Sequence, residues 1–442
     1  MNRFWLAWIW VLVLPLLTPA QNPQKISASS QGQKEAISSP AANSVPAMAP
    51  KAPDYSQEPF VVEQYSTAVR FENDGTGVRE QSARIRVQSD AGVQQLGELV
   101  FGYSSANETM EIKFVRVRKS DASVVTAAPT AIKEMTAAVE RDAPTYTDYK
   151  EKHITVPGLH PGDTLEYDIV TRLVTPLAPN EFWYSQNFLE NAIVLEEHLD
   201  VNIPTGRAVT VKSAGFSLVD GKEQHATQLQ IPATSGPLKI TGDFSQEISG
   251  DRTIFHWKHA NLSHPADDQE EKKSSKPGDL QPDVQITTFK NWAEVAAWYA
   301  GLEKGRTIPD AAIRAKVAQL IQGKNSDLEK MEALYDYVST NIRYVSLSFG
   351  LGRYQPHSAA EVFTNQYGDC KDKQTLLAAM LDAAGIHADA ALIPYERKLD
   401  LSVPSPSQFD HIITAVPEGD HFIWMDSTAE VAPFRMLTAP LR

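Results

Sequence analysis

Three residues whose types can together carry out acyl transfer occur in order toward the end of this 442-residue chain: Cys370, His411 and Asp426. A cysteine can attack a carbonyl carbon, a histidine can take the thiol proton, and a carboxylate can orient the histidine. Cys370 sits in Tyr367-Gly368-Asp369-Cys370-Lys371-Asp372. Asp369 reads as a helix N-cap, Leu376, Leu377, Met380 and Leu381 as a buried stripe, and Gly385 as the residue that ends the helix. The spacing therefore predicts Cys370 in the first turn of a buried helix. There the helix dipole and unpaired N–H groups favour an anion and can lower a thiol pKa below its usual value of about 8.5. Asp372 would oppose a thiolate if it pointed inward; the helix geometry is expected to send it to solvent.

The histidine and the carboxylate fall on two β-like runs. In Phe409-Asp410-His411-Ile412-Ile413-Thr414-Ala415-Val416, His411 shares a face with Phe409, Ile413 and Ala415. In Phe422-Ile423-Trp424-Met425-Asp426, Asp426 shares a face with Phe422 and Trp424. Pro417-Glu418-Gly419-Asp420 between them is a hairpin signal, and antiparallel pairing would make His411 and Asp426 neighbours on one face. Each residue alone has a blander reading. A cysteine at a helix start is usually inert, a histidine on an apolar strand is usually a satisfied core residue, and an aspartate at a strand end is usually a turn residue. Their order is the more specific signal. For an oxyanion, the Cys370 N–H is one donor; Gln355 or Tyr344 is the expected second, although packing or exposure is the commoner fate of either. A metal site built from His411, Asp426 and His387 or His421 lacks any HxxxH or CxxC spacing, so no metal and no cofactor is expected.

The elements that must position these residues follow a simple order. Residues 1–20 carry Arg3 and then an almost wholly apolar run to Leu17, which reads as a cleaved signal peptide. The apolar run is shorter than the roughly 20 residues of a spanning helix, so no stable membrane span is expected after its removal. Residues 21–58, rich in Ser, Ala, Gln and Pro, read as a disordered linker. From 59 to 265 the period is two: Tyr65, Thr67, Val69 and Phe71; then Ala83, Ile85 and Val87 after the turn Asn73-Asp74-Gly75; later Leu165, Tyr167 and Ile169, and Leu199, Val201 and Ile203. This is an all-β, sandwich-like domain. Residues 266–285 form a charged linker. Residues 286–442 turn helical, with Asn291 and Glu294 capping a stripe of Trp292, Val295, Ala296, Tyr299 and Leu302, a helix near Asp310 to Ile321, and Ser326 with Glu329 as a capping box before Leu328, Met331, Leu334, Tyr335, Val338 and Ile342. The aromatic stripe is read as core packing.

A hydrophobic fraction of 42% is enough for two cores, and a net charge of −14 argues against nucleic acid as a partner. With a single cysteine, no intramolecular disulfide can form, which leaves Cys370 inert, an intermolecular linker or reactive.

Gly368-Asp369-Cys370-Lys371-Asp372, with the Leu-rich helix and Ala384-Gly385-Ile386, resembles the cysteine motif of bacterial exported transglutaminase-like proteins. Phe409-Asp410-His411 resembles their histidine strand, and Trp424-Met425-Asp426-Ser427-Thr428 their aspartate strand. The stretches Ala143 to Tyr149, Pro161 to Tyr167 and Phe289 to Leu302 resemble the uncharacterised β-rich domain that precedes such cores. The resemblance covers roughly residues 60 to 442. It implies a papain-like, transglutaminase-like α+β core, a Cys370–His411–Asp426 triad, and a peptidase, amidase or transglutaminase acting on peptide or protein amides through a thioester. It also implies a periplasmic or extracellular setting. Similar proteins continue with further β structure past the Asp motif, whereas this chain ends at Arg442, so the core is expected to be a short or truncated member. The competing expectation is a non-catalytic module whose β domain holds a protein or glycan.

Overall fold

A computed structural model describes residues 55–136, 148–214, 226–231, 244–262, 281–345, 351–395, 397–429 and 432–437. The expected signal peptide, most of the linker that follows it and most of the charged linker lie outside the described residues.

Alternation of side chains builds the first half. Tyr65, Thr67, Val69 and Phe71 are buried on one face of strand Phe60–Phe71. That strand pairs antiparallel with Gly77–Val87 through a turn in which Asp74 accepts both the amide and hydroxyl of Thr76 and Gly75 takes a φ of +88°. These two strands form the middle of an eight-stranded sheet. Its spatial order is Phe244–Ser249, Arg252–Asn261, Val194–Pro204, Phe60–Phe71, Gly77–Val87, Thr164–Leu173, Glu108–Arg118 and Val124–Thr126. A four-stranded sheet, Ala226–Ile231, Val209–Ala214, Val284–Thr287 and Trp183–Gln186, covers one part of it. Val69, Leu199, Val201, Phe255, Trp257, Val211 and Ile286 fill the space between. Helix α1 (Asp90–Leu96) and a three-stranded sheet, Glu98–Ser104, Tyr149–Thr155 and Ile132–Thr136, cover the other part. The expected boundary at 285/286 falls inside strand Val284–Thr287, which the β domain uses as a sheet member. Residues 55–58 are tied down by the Gln88 amide, which donates to the Tyr55 and Glu58 carbonyls.

The second half holds helices α2 (Trp292–Glu303), α3 (Ala311–Leu320), α4 (Asp327–Asn341), α5 (Ala359–Asn365) and α6 (Cys370–Ala383), with a three-stranded sheet of Asp389–Ile393, His411–Glu418 and His421–Met425. A side-chain cap starts each helix: Asn291, Asp310, Ser326, Ser358 and Asp369. Helix α6 is the axis of the core, with α3, α4, α5 and the strand His411–Glu418 packed around it. Leu328, counted in the buried stripe of α4 by its spacing, is 42% exposed because it lies in the first turn, beyond the reach of α6.

An aromatic cluster joins the halves. Trp183 of the β domain meets Trp298 of α2 with ring centroids 5.3 Å apart and Tyr354 at 5.7 Å, and Trp298 meets Tyr354 at 5.1 Å. The Trp298 indole N–H donates to the Leu177 carbonyl at 3.1 Å. Trp298→Ala should cost about 3 kcal/mol in urea unfolding, with Trp298→Phe recovering part of it; an unchanged midpoint in the alanine variant would show that the cluster does not hold the halves together.

Candidate active site

Cys370 is the first residue of α6 and is half-buried. The helix behind it is buried from Lys371 to Leu381, charged residues included. Each of those charges is answered. The Lys371 ammonium bonds the carboxylate of the N-cap Asp369. The Lys373 ammonium donates to the carbonyls of Ser339 and Ile342 at 3.2 and 2.8 Å, the C-terminal end of α4, where the helix dipole favours a cation. Asp372 is 0% exposed, contrary to the expectation that it would face solvent. It accepts the His357 backbone N–H at 2.8 Å and lies 3.3 Å from the His357 ring. Gly368 makes this possible, because a Cβ there would lie 2.5 Å from the Asp372 Cβ.

His411 opens its strand opposite Ile393. The hairpin register sets Ala415 against Trp424 and Thr414 against Met425, and continuing it places Asp426 diagonally across from His411. His411 Nε2 and Asp426 Oδ2 are 3.1 Å apart. The Tyr395 ring lies edge-on to the imidazole at 5.2 Å. Asp426 is itself fixed: its other oxygen accepts the Thr428 amide at 3.1 Å and hydroxyl at 2.6 Å. The Tyr335 hydroxyl of α4 lies 3.0 Å from the Asp426 carbonyl. Burial disfavours the Asp426 charge, yet His411 and Thr428 together hold its pKa below the usual carboxylate range. The structure thus joins His411 to Asp426 and packs the His411 strand on the Cys370 helix. No hydrogen bond links Cys370 to His411 among the described residues.

The thiol differs from the sequence expectation. Burial first, and the Asp369 carboxylate second, push its pKa up to about 12, against the pull of Lys371. The favourable first-turn position is outweighed because the turn is buried and carries two carboxylates. Tyr344 pairs in register with Gly368 and is 37% exposed, while Gln355 is half-buried just before His357. Sequence reasoning placed Tyr299 in a packing stripe. It is buried, its hydroxyl has no hydrogen-bond partner, and the charges that oppose its ionisation, after burial itself, are Glu303, Cys370, Asp369 and Asp372. Only an unpaired buried hydroxyl marks it, and spacing cannot show that. His387 and His421 are surface residues paired with Asp389 and Asp420.

Fold and site together define an α+β protein in which a β-rich domain precedes a core whose buried helix begins at a cysteine and packs on the strand that opens with the histidine of a histidine–aspartate pair. More particularly, the chain carries a DUF3857 domain followed by a transglutaminase-like core. Residues 73–265 match the family described as a domain of unknown function with a solved structure, DUF3857, and residues 314–405 match the Transglutaminase-like superfamily. The second match spans Cys370 and ends before His411 and Asp426. A structure from Parabacteroides distasonis described as a "putative protease" superposes with a TM-score of 0.67 at 16% identity, over 83% of this chain and 67% of that one, a likeness of fold. A "putative cysteine protease" from Cytophaga hutchinsonii superposes with a TM-score of 0.23 at 13% identity, over 52% of this chain and 75% of that one. No curated protein matches the chain. The superfamily match supports a papain-like thiol enzyme. No helix among the described residues is long and apolar enough to cross a membrane.

The His357–Asp372 contact has a pH signature. Burial lowers the His357 pKa, but Asp372 outweighs it and the net shift is upward. A raised histidine pKa adds stability that is complete below the ordinary value of about 6.5 and is lost as pH rises through the folded-state value. Denaturant midpoints of the wild type should therefore fall between about pH 6 and pH 8 by an increment that His357→Gln lacks; parallel profiles for the two proteins would refute the assignment.

Proposed function

We propose that this chain is an exported, periplasmic or extracellular, cysteine-dependent acyl-transfer enzyme that acts on peptide or protein amides. The observation that carries the reading is the 3.1 Å contact of His411 with Asp426 on the strand packed against the Cys370 helix. Asp426 takes the Nε2 proton of His411 as a hydrogen bond, which leaves Nδ1 as the acceptor for the thiol. With a thiol pKa pushed up to about 12, the resting site holds a neutral thiol. As Cys370 attacks the amide carbonyl, its proton passes to His411 Nδ1, and a tetrahedral oxyanion forms. His411 then returns the proton to the leaving amine, the C–N bond breaks, and a thioester remains. Water or a second amine, deprotonated by His411, attacks the thioester and releases acid or new amide together with the thiol. Water makes the enzyme a peptidase or amidase; an amine makes it a transglutaminase.

Cys370→Ala should abolish turnover of a peptide-amide library, and His411→Ala should lower kcat about 10²- to 10⁴-fold; unaltered turnover in either variant would remove the thiol mechanism. In the same protein, alkylation of Cys370 by iodoacetamide should be slow near neutral pH and rise steadily with pH, whereas a plateau below about pH 8.5 would mean a preformed thiolate.

The oxyanion needs a second donor beside the Cys370 N–H. Tyr299 fits better than Tyr344 or Gln355, since its hydroxyl is buried and unpartnered and Tyr344 is 37% exposed. Tyr299→Phe should lower kcat about 10²- to 10³-fold with little change in KM; a loss confined to Tyr344→Phe or Gln355→Ala would move the role to that residue.

A further inference from the structure

The three-stranded sheet that carries His411 and ends at Asp426 has a free edge. Strand His421–Met425 pairs on one side with His411–Glu418 and, among the described residues, with no strand on the other. The register shows which of its backbone groups face outward. Gly419 and Asp420 form a two-residue turn between the paired residues Glu418 and His421, and such a turn closes on a hydrogen-bonded pair. Bonded and non-bonded pairs then alternate, so Val416 and Ile423 bond to each other, while Pro417 with Phe422 and Ala415 with Trp424 do not. Proline suits the non-bonded position because it has no N–H to give. The N–H and C=O groups of Phe422 and Trp424 therefore point along the open edge, where no partner meets them among the described residues.

The same two residues have exposed rings. Phe422 is 48% and Trp424 39% exposed, with ring centroids 5.3 Å apart. Proteins usually blunt an edge strand with a lysine, a proline or a bulge; His421–Met425 has none of these. Alternation puts both rings on the face of Asp426, the residue just past the strand, which meets His411 at 3.1 Å. The turn at the other end is acidic: Glu418 and Asp420 are exposed, and Asp420 is answered by His421 beside it.

From this edge we infer that strand His421–Met425 is a docking strand for an extended segment of a peptide or protein substrate, one with apolar side chains at alternate positions and a lysine or arginine beyond them. The segment adds to the sheet as a further antiparallel strand. Its backbone exchanges hydrogen bonds with Phe422 and Trp424, its apolar side chains lie against their rings, and the cation at its C-terminal end reaches Glu418 and Asp420. A second copy of the chain fits less well, since this strand runs between Asp420 and Asp426 and self-pairing would bring carboxylates to carboxylates. That the docked segment is substrate rests on the thiol mechanism proposed above; the docking itself does not.

The probe is the peptide acetyl-Val-Thr-Leu-Thr-Lys-amide, titrated calorimetrically into the full chain carrying Cys370→Ala, so that none is consumed. Saturable one-to-one binding with a Kd under about 1 mM is expected. In the saturated complex the Phe422 and Trp424 amides should exchange with deuterated water at least about tenfold more slowly than in the free protein. The same peptide N-methylated at leucine should bind about tenfold more weakly, and with glutamate for lysine about threefold more weakly. Phe422→Ala and Trp424→Ala should each weaken binding about tenfold. Absence of saturable binding, unslowed exchange at both amides, or equal affinity for the N-methylated peptide overturns the inference. So does slow exchange of both amides in a dimer of the peptide-free chain, which would make a second copy the occupant. Docking without any turnover by the wild type would sink the thiol mechanism and leave the edge as a peptide-binding site.

Discussion

The core depends on burying a helix whose first turn is charged. Asp369, Lys371, Asp372 and Lys373 surround the cysteine and are all at most 1% exposed. Unpaired, any of them would cost several kcal/mol. Each partner therefore dictates the position of another element. Lys373 requires the C-terminus of α4 to end over the helix, where the Ser339 and Ile342 carbonyls point at it. Asp372 requires the segment before α5 to run past Gly368 so that the His357 amide and ring reach it. Asp369 answers both the Lys371 ammonium and the Asp372 amide that starts the helix. The burial that fixes the cysteine in space thus also recruits α4 and α5, and α4 in turn offers the Tyr335 hydroxyl to the Asp426 carbonyl.

The β domain reaches the other side of the site. The segment from Asp400 to Gln408 leads into the His411 strand and is held at several points. Lys212 pairs with Asp400, the Thr287 hydroxyl donates to the Pro404 carbonyl at 2.9 Å, and the Trp292 indole donates to the Leu401 carbonyl at 3.0 Å. Gln408, 1% exposed, closes the segment on itself by accepting the Asp400 amide and donating to the Asp400 and Val403 carbonyls. Strand Val284–Thr287 is the physical hinge of this arrangement. It is a full sheet member of the β domain, and its last residue touches the core. The β domain is therefore part of what orients the histidine.

Much of this was legible in the sequence, and the gaps have physical causes. Period two predicted the faces of Phe60–Phe71 and Thr164–Leu173, because a strand's side chains alternate whatever it packs on. The caps Asn291, Ser326 and Asp369 were legible because a cap is satisfied within its own first turn. The hairpin of His411 and Asp426 followed from a turn signal and parity alone. What failed depended on partners distant in sequence. Asp372 was assigned to solvent because a carboxylate is seldom buried; His357 and the absent Cβ of Gly368 reverse that. The charged linker was carried to residue 285 because composition cannot show that Val284–Thr287 finds a place between two other strands. Tyr299 looked like one more aromatic in a stripe, and its unpaired hydroxyl is visible only in three dimensions.

The raised thiol pKa follows from the same constraint that builds the core. A helix N-terminus favours an anion through its unpaired N–H groups, but here Asp369 already takes the Asp372 amide, and its carboxylate adds a negative charge beside the sulfur. Lys371 offsets part of that charge while spending its own on Asp369. The first turn is thus electrically committed to its own burial, and little of the dipole is left for the thiol. In the proposed mechanism, activation therefore comes from outside the helix, from a base already oriented. His411, with Nε2 held by a carboxylate whose pKa is lowered, is the base that mechanism assigns. A neutral resting thiol also reacts slowly with oxidants and alkylating agents.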